Sequence, residues 1–478
     1  MKKLKAALIL GACLLTAGCR DPSVQIPFVV DTSGESSSYS SFEPPKSSSA
    51  SVSGSSVPES SKISENSSVP ESSSIPESSG ISESSSVSES SKAPESSKIP
   101  ESSTVPESSK TPEIPSVPKT ESYDEAAGRI LSEMTLREKI GQLFIVRPEA
   151  LAVPYADLSA NYRSVSAVSE EMRKNFAKFP VGGVALFADN IITPAQTSAF
   201  TGELSGACEI PLFIAVDEEG GRVARLANNA AFGLPKYDSA AAVGRSGNPS
   251  AALEMGNTIG GYLKKYGFNM DFAPDADVFT NPKNTILGNR AFSSDAATAA
   301  IMASAMAQGL RNNGIIPVYK HFPGHGDTAE DSHTGAAYAN KTHAEMELCE
   351  WLPFLKATPL DGIMAGHISA PNITGDNVPA TMSKQMITDI LRGELGFDGL
   401  IITDSLAMGA VKNRYGSGLA SVNAILAGCD ILLMPDSLGA AFDGILAAVN
   451  DGTISEQRLN ESVLRILKYK LEYNIIEI

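Results

Sequence analysis

The sequence predicts an α/β fold, a single (β/α)8 barrel of the TIM type over residues 121–478, preceded by a disordered low-complexity linker. Three observations lead to it. Eight short apolar runs alternate with helix-length segments, as parallel strands buried on both faces do. Eight such runs in one unit of this length fit a closed barrel. Finally, five of the runs end in ionisable residues, which would line one pocket at the carboxyl ends of the strands.

The predicted strands are QLFIV (142–146), GGVALF (182–187), LFIAVD (212–217), MDFAPD (270–275), IIPVYKH (315–321), GIMAGH (362–367), GLIITDS (399–405) and ILLMP (431–435). Two of the segments between them, 248–267 and 294–314, are long enough for full helices. The ionisable strand ends are Asp217, Asp275, Lys320 with His321, His367 and Asp404. A doubly wound open sheet is the structural alternative, but it would gather ligands mainly at one switch point. Polar ends on five strands favour the barrel.

Residues 1–19 read as an export signal. A basic start is followed by an apolar run, 6–15, that is too short to span a membrane. The small residues before Cys19 resemble the lipobox of bacterial lipoproteins, in which the cysteine is lipidated. This predicts an exported protein anchored by lipid to the bacterial cell membrane, facing the cell wall or the exterior. Lipidation at Cys13 and an ordinary secretory signal are the alternatives.

Residues 20–120 form a predicted stalk. Between 57 and 110 the chain repeats a six-residue unit such as VPESSK or IPESST. Each unit offers a single small apolar side chain among Pro, Glu and Ser, so burial cannot offset the entropy of ordering the chain. A parallel β-helix can also have a six-residue period, but it needs an inward apolar ladder. An extended, disordered spacer is therefore expected.

Charge and cysteine content narrow the possible functions of the protein. The chain has 55 acidic and 38 basic residues, a net charge of −17, which disfavours binding to nucleic-acid phosphates. Within residues 121–478, Cys208, Cys349 and Cys429 are widely spaced and form no CxxC pair. A domain of this size can hold a hydrophobic core without disulfides.

Two acidic segments are candidates for chemistry. Asp404, in LIITDSLAMGA, follows the predicted strand residues LIIT, three of which are apolar, and a carboxylate at the edge of a core can act as a nucleophile or base. It could equally be the N-cap of the next helix. In DEEGGRVARL, Asp217 closes a strand, and Arg222 and Arg225 could hold hydroxyls or an anionic group. The acidic run could equally be a solvated turn.

The stretch KHFPGHGDTAEDSH (320–333) contains three of the five histidines of the chain. It is expected to leave the fifth strand and cross the mouth of the barrel. Gly324 and Gly326 should make it flexible, as suits a loop that closes over substrate. Asp331 and His333 are two residues apart, close enough for the carboxylate to orient the imidazole and raise its basicity. Such a histidine can donate a proton to a leaving group and later accept one from water.

A set of motifs now shows a family resemblance. In chain order these are MTLREKIGQLF, VGGVALFADN, VDEEGGRVARL, FAPDADV, ILGNRAF, KHFPGHGDTAEDSH, PATMS, GFDGLIITDSLAMGA and AGCDILLMP. They resemble the β-N-acetylhexosaminidases of glycoside hydrolase family 3 over essentially all of residues 124–478. The KHFPGHGD…DSH stretch is typical of the N-acetylglucosaminidase branch of that family rather than of its β-glucosidases.

The resemblance implies a retaining exo-β-N-acetylglucosaminidase that acts on peptidoglycan fragments or chitooligosaccharides. Asp404 would be the nucleophile, and His333 with Asp331 would be the acid/base pair. The residues implied to bind the terminal sugar are Asp217, Arg225, Arg290, Lys320 and His321. No cofactor, metal or nucleic acid is expected, the membrane would be met only through the lipid anchor, and the protein would be a monomer.

Other functions compete with this one. A metal-dependent barrel hydrolase could use His321 and His325, which are four residues apart, but Pro323 and the glycines prevent them from sharing a helix face. A β-glucosidase or an N-acetylglucosaminide phosphorylase of the same family is also possible. A non-catalytic sugar-binding lipoprotein would lack the acid or the nucleophile, and both are present here.

Overall fold

The computed structural model describes the chain from residue 121 to residue 477 apart from two gaps, 154–163 and 330–334. The described residues all fall within one compact unit. The predicted leader and stalk, with Cys19, lie outside the described residues. The predictions for those positions therefore stay predictions.

Eight parallel strands form the central sheet. They are β1 Phe144–Val146, β2 Gly183–Leu186, β3 Phe213–Val216, β4 Met270–Asp271, β5 Ile316–Phe322, β6 Gly362–Ala365, β7 Leu400–Thr403 and β8 Leu432–Leu433. Every residue in them is buried, which explains why the strands read as continuous apolar runs rather than as alternating patterns.

The strand order makes the sheet a barrel. From β1 to β7 each strand pairs with the next strand in the sequence, and β8 pairs with β1. A parallel bridge between Ile402 of β7 and Ile431, just before β8, nearly closes the ring. In an open doubly wound sheet, the order of the strands would instead reverse at a switch point. The predicted (β/α)8 barrel is confirmed.

Helices surround the sheet and connect its strands. The α-helices are Tyr123–Glu133, Leu136–Gln142, Pro148–Ala152, Glu170–Lys178, Pro194–Ser205, Ala240–Gly244, Pro249–Lys265, Ala296–Asn312, His343–Glu347, Pro371–Thr374, Gly409–Lys412, Ser417–Ala427, Leu438–Asn450 and Glu456–Glu472. The 3-10 helices are Ala188–Asn190, Ala230–Phe232, Phe354–Lys356 and Ala380–Met382, and a π-helix spans Gln385–Glu394. Within the described part of the chain, no helix combines the length and the apolar character that a membrane crossing requires.

Both of the long helices expected from the sequence are present, as Pro249–Lys265 and Ala296–Asn312. An asparagine N-cap begins the first and an aspartate N-cap begins the second. Glycine allows the two helices to pack closely, because a Cβ added at Gly309 would lie 2.4 Å from the backbone nitrogen of Asn257. Small residues at this crossing therefore fix the spacing of the helices on either side of β4.

Short strands build a rim at the carboxyl ends of the barrel strands. After β3, Glu218–Gly220 pairs antiparallel with Val223–Ala224. After β5 and β6, Ala337–Tyr338 pairs parallel with Ile368–Ser369. These additions lie at the end of the barrel where the polar strand ends were predicted, so they can position side chains around a pocket there.

The last helix carries a fully buried lysine. Lys470 donates a hydrogen bond from Nζ to Oε1 of Gln142 at 2.7 Å and lies 4.9 Å from the ring centroid of Phe213. Burial lowers the pKa of Lys470 to about 7. The folded state therefore disfavours the charged form of this amine relative to the unfolded chain.

Lys470→Met is expected to raise the melting temperature by a few degrees at pH 6 and by less at pH 10. An unfolded lysine has a pKa of about 10.4, so between pH 7 and 10 the unfolded chain binds more protons than the folded one. The cost of burying the amine is therefore complete below pH 7 and disappears as the pH rises toward 10. Thermal unfolding at both pH values measures this. Lys468→Met, a more exposed position on the same helix, should change little. The same change in melting temperature at both pH values, or a fall at pH 6, would contradict this expectation.

Candidate active site

The residues predicted at strand ends lie where the sequence placed them. Asp217 directly follows β3, and Asp404 directly follows β7. Lys320 and His321 are among the last residues of β5. Asp275 lies beyond the end of β4, where it forms a parallel bridge with Lys320, and His367 lies two residues beyond β6. All of them therefore lie at the carboxyl end of the barrel, as the sequence analysis predicted.

Lys320 is at the centre of a buried ion-pair network. Its Nζ lies 2.7 Å from Oδ1 of Asp217 and 2.6 Å from Oε1 of Glu219. Burial alone would lower the pKa of Lys320, but the two carboxylates raise it above its usual range. A lysine that is only 2% exposed thus stays charged.

Arg290 joins the same network from the loop that follows β4. Its Nε and Nη2 atoms donate to the two carboxylate oxygens of Glu219 at 2.8 and 2.7 Å, a bidentate pair. Its Nε also lies 3.3 Å from Oδ2 of Asp275. Burial opposes ionisation of Glu219, but Arg290 and Lys320 together hold the pKa of its carboxyl well below the usual range. Glu219 is therefore a charged bridge between two of the predicted sugar-binding cations.

Asp217 faces the open side of the network. Its side chain is 19% exposed, while its Oδ2 lies 3.3 Å from Nη2 of Arg225 and its Oδ1 contacts Lys320. The structure thus brings four of the predicted sugar-binding residues together. A partly exposed carboxylate held by two cations can accept hydrogen bonds from a bound hydroxyl without moving.

Glu218 fixes the hairpin that carries Arg225. Its carboxylate accepts hydrogen bonds from the backbone N–H groups of Arg225, Leu226 and Ala227 and from the hydroxyl of Tyr262. Burial raises the pKa of Glu218 although the three N–H groups oppose that change. The alternative of a solvated acidic turn is therefore wrong, because Glu218 and Glu219 are 0% and 2% exposed. Apart from the adjacent glycines, no local sequence pattern indicates these contacts.

Asp404 is held by the turn that follows it. Its Oδ1 accepts a hydrogen bond from the N–H of Ser405 at 2.7 Å, and its own N–H donates to the carbonyl of Ala365 at 2.8 Å. The next helix begins at Gly409 with Met408 as its N-cap. The alternative role of Asp404 as a helix N-cap is therefore wrong.

His367 holds the same turn, a role that sequence reasoning did not assign to it. Its Nε2 lies 2.8 Å from the carbonyl oxygen of Ser405, and its Nδ1 lies 2.9 Å from Oγ1 of Thr381. Since a carbonyl only accepts, Nε2 carries the proton. The buried imidazole thus fixes the backbone next to Asp404. Its place at a strand end was the only signal in the sequence.

The two glycines of the histidine stretch have a packing role in the structure. A Cβ at Gly324 would lie 2.5 Å from Cγ of Glu350, and one at Gly326 would lie 1.7 Å from the carbonyl oxygen of Val278. The predicted flexibility of this stretch therefore does not apply to its first part, where glycine is needed for close backbone approach. Asp331 and His333 lie outside the described residues, and their pairing stays a prediction.

The imidazole rings of His321 and His325 have different hydrogen-bonding partners. Nδ1 of His321 lies 2.7 Å from Oδ2 of Asp277, while Nδ1 of His325 contacts Oγ1 of Thr328. The pKa of His325 lies below its ordinary value, because the lowering by burial and by the neighbouring His321 exceeds the opposite effect of Asp277 and Asp404. The two imidazoles also lie edge to face, with their ring centroids 5.8 Å apart.

Among the described buried residues, Asp275, Asp277 and His321 have potential ligand atoms within 4.8 Å of one another. Both carboxylates already face charged or protonated partners within the chain, however, because Oδ2 of Asp275 lies 3.3 Å from Nε of Arg290, although without hydrogen-bonding geometry, and Asp277 pairs with His321. Each carboxylate thus faces a cationic or protonated partner without any added ion. The geometry fits an internal charge network better than the predicted alternative of a metal centre built on His321 and His325.

Comparison with known proteins identifies the family of the chain. Residues 135–469 match the family model described as the glycosyl hydrolase family 3 N terminal domain. The chain is 33% identical over 302 residues to "Beta-hexosaminidase LpqI" of Mycobacterium tuberculosis, an alignment that covers 61% of this chain and 76% of that one. It is 32% identical to "Beta-hexosaminidase A" of Pseudoalteromonas piscicida, covering 64% of this chain and 56% of that relative.

A solved structure of a glycoside hydrolase family 3 β-N-acetylglucosaminidase from a Paenibacillus species is similar in fold. The TM-score is 0.65 at 33% sequence identity, and the match covers 72% of this chain and 63% of that one. The present chain therefore spans less than two thirds of this structure and of the Pseudoalteromonas relative. The resemblance inferred from the motifs is confirmed, and the chain belongs to glycosyl hydrolase family 3.

Proposed function

We propose that the protein is a retaining exo-β-N-acetylglucosaminidase that removes terminal β-linked GlcNAc from peptidoglycan fragments or chitooligosaccharides. The observation that carries this proposal is the buried network of Asp217, Glu219, Lys320 and Arg290, which lies on the same barrel rim as Asp404. Relatives and structural neighbours that carry β-hexosaminidase and β-N-acetylglucosaminidase names support it.

The proposed reaction has two steps. In the first, a carboxylate oxygen of Asp404 attacks the anomeric carbon, and the His333 imidazolium gives its proton to the departing glycosidic oxygen. In the second, neutral His333 takes a proton from water, which attacks the anomeric carbon and releases Asp404. Asp331 would orient the imidazole throughout. The terminal sugar would be held by Asp217 and Lys320, together with Arg225, Arg290 and His321.

The Asp404 turn suits a nucleophile. The hydrogen bond from the N–H of Ser405 and the support of that turn by His367 restrict how the carboxylate can rotate. Such restriction holds the attacking oxygen near its reactive position before substrate arrives. The charged network on the sugar side has the same advantage. Its side chains of opposite charge are already paired, so they need little rearrangement when substrate binds.

Product analysis tests the substrate class. Purified protein should release GlcNAc from the non-reducing end of muropeptides or chitooligosaccharides, with retention of the β-configuration. Repeating the digestion in phosphate buffer distinguishes a phosphorylase, which would yield GlcNAc-1-phosphate. Activity on β-glucosides alone, or a loss on EDTA treatment that zinc restores, would favour the alternative functions instead.

We further propose that the protein is exported and attached to the cell membrane through lipidated Cys19, acts as a monomer, and uses the repeats as a spacer. Cys19→Ala should move the protein from the membrane fraction to the medium. Cys13→Ala is the matched control and should leave it in the membrane fraction. Membrane retention of the Cys19 variant together with release of the Cys13 variant would identify Cys13 as the lipidated residue.

A further inference from the structure

The loop that follows β4 supports the start of the histidine stretch. We name residues 277–284 the platform loop. Its backbone meets this stretch directly, since the N–H of Asn281 donates to the carbonyl of Gly326 at 3.0 Å. Its side chains do so as well, because Nδ2 of Asn284 donates to the carbonyl of His325 at 2.7 Å. The segment from His321 to Thr328 therefore packs on the platform loop and is hydrogen-bonded to it.

Asp277 makes the most specific of these contacts. Its Oδ2 accepts from Nδ1 of His321 at 2.7 Å, and its Oδ1 accepts from the backbone N–H groups of His321 and His325 at 3.3 and 2.6 Å. The carboxylate is 0% exposed, so it cannot exchange these partners for water. One side chain thus orients both a ring and the backbone that follows it.

The contact determines how His321 can meet a ligand. A carboxylate only accepts hydrogen bonds, so Nδ1 of His321 must carry a proton, and Nε2 is the ring nitrogen that remains for the pocket. Burial opposes the charged ring, yet the Asp277 carboxylate raises the pKa of His321 above its ordinary value. Asp275, Arg290 and His325 are the other titratable or charged groups that act on this ring or pack against it.

We propose that Asp277 is a positioning residue for the sugar-binding side of this site, acting through His321 rather than on the substrate itself. The proposal rests on the proposed glycosidase function. It predicts that Asp277 affects catalysis only while the imidazole of His321 is present, because Asp277 acts on the ligand only through that ring.

A double-mutant cycle tests it. Asp277→Asn keeps the shape of the side chain and one oxygen for the two backbone N–H groups, and replaces the oxygen that faces His321. It should lower kcat/KM on an aryl β-N-acetylglucosaminide by about tenfold to a hundredfold, the loss typical when a carboxylate that orients a metal-binding histidine is removed. In a His321→Ala background the same change should cost less than about threefold. Equal losses in both backgrounds would overturn the proposal.

Asp361→Asn is the matched control. Asp361 is also a 0% exposed carboxylate that accepts a backbone N–H and pairs with a cation, Arg311, but it precedes β6 at the opposite end of the barrel. Its substitution should lower the melting temperature and should act additively with His321→Ala. If wild-type protein hydrolyses no β-N-acetylglucosaminide, the proposed function fails. If wild-type protein is active and the Asp277 cycle is additive, only the positioning role fails.

Discussion

Asp404→Asn should lower kcat for an aryl β-N-acetylglucosaminide by roughly 10³- to 10⁶-fold, the range seen when an enzyme loses its nucleophile. The amide has nearly the size of the carboxylate but lacks the charge and nucleophilicity that a bond to the anomeric carbon requires. The fold should persist, because the hydrogen bond from the N–H of Ser405 needs only an oxygen acceptor. Steady-state kinetics and thermal unfolding of the same preparation measure the two effects separately.

A control lies at the other end of the same strand. Asp398 precedes β7, and its side chain is 82% exposed. Asp398→Asn should therefore leave kcat within about twofold of wild type. A fluorinated glycoside of the right sugar that traps the intermediate should label the peptide LIITDSLAMGA. Labelling of Asp217 instead would show that the nucleophile has been misassigned.

The sequence was sufficient to predict the barrel and the positions of its polar strand ends. Apolar runs buried on both faces mark the strands, and parallel strands place their carboxyl ends on one rim. The sequence alone therefore assigns Asp217, Lys320, His321 and Asp404 to one site. These predictions depend only on where each strand stops, which is a local property of the sequence.

The side chains that hold those residues could not be predicted in the same way. Glu219 contacts Arg290 and Lys320 across 71 and 101 positions of sequence, and no local pattern specifies which cation it meets. Asp277 was visible only as part of a motif, and His367 only as a strand end. Their roles depend on which loops pack against one another above the barrel, so they emerge only from the folded arrangement.

The buried network also explains why the alternative of a solvated turn at DEEGG is wrong. Adjacent acids normally remain in water, because burying a carboxylate is costly unless it is paired. Here Glu219 is paired with two cations, and Glu218 is hydrogen-bonded to three backbone N–H groups and a tyrosine. Removing one partner would leave a buried charge uncompensated, which is more damaging than the pair itself is stabilising. The network therefore constrains the site strongly even where it does not contact substrate.

His333→Ala should reduce hydrolysis of chitooligosaccharides by about 10²- to 10⁴-fold, because their leaving groups must be protonated as the bond breaks. A dinitrophenyl glycoside has a leaving group that departs as a stable anion, so its first step should be largely spared. Covalent intermediate should then accumulate, since water attack still lacks a base. Rapid-quench kinetics and intact-protein mass spectrometry measure the two consequences.

Matched variants separate His333 from the other histidines. Asp331→Ala should act in the same direction but more weakly, because the imidazole remains and loses only its orientation. His343→Ala should have no such effect, because its partly exposed imidazole pairs with Glu347 and Glu394 instead. His325→Ala should lack the leaving-group dependence, since the proposed mechanism assigns the proton transfer to His333. If the His325 variant alone showed that dependence while the His333 variant matched wild type, the proton donor would be His325, and the pairing of Asp331 with His333 would have no catalytic role.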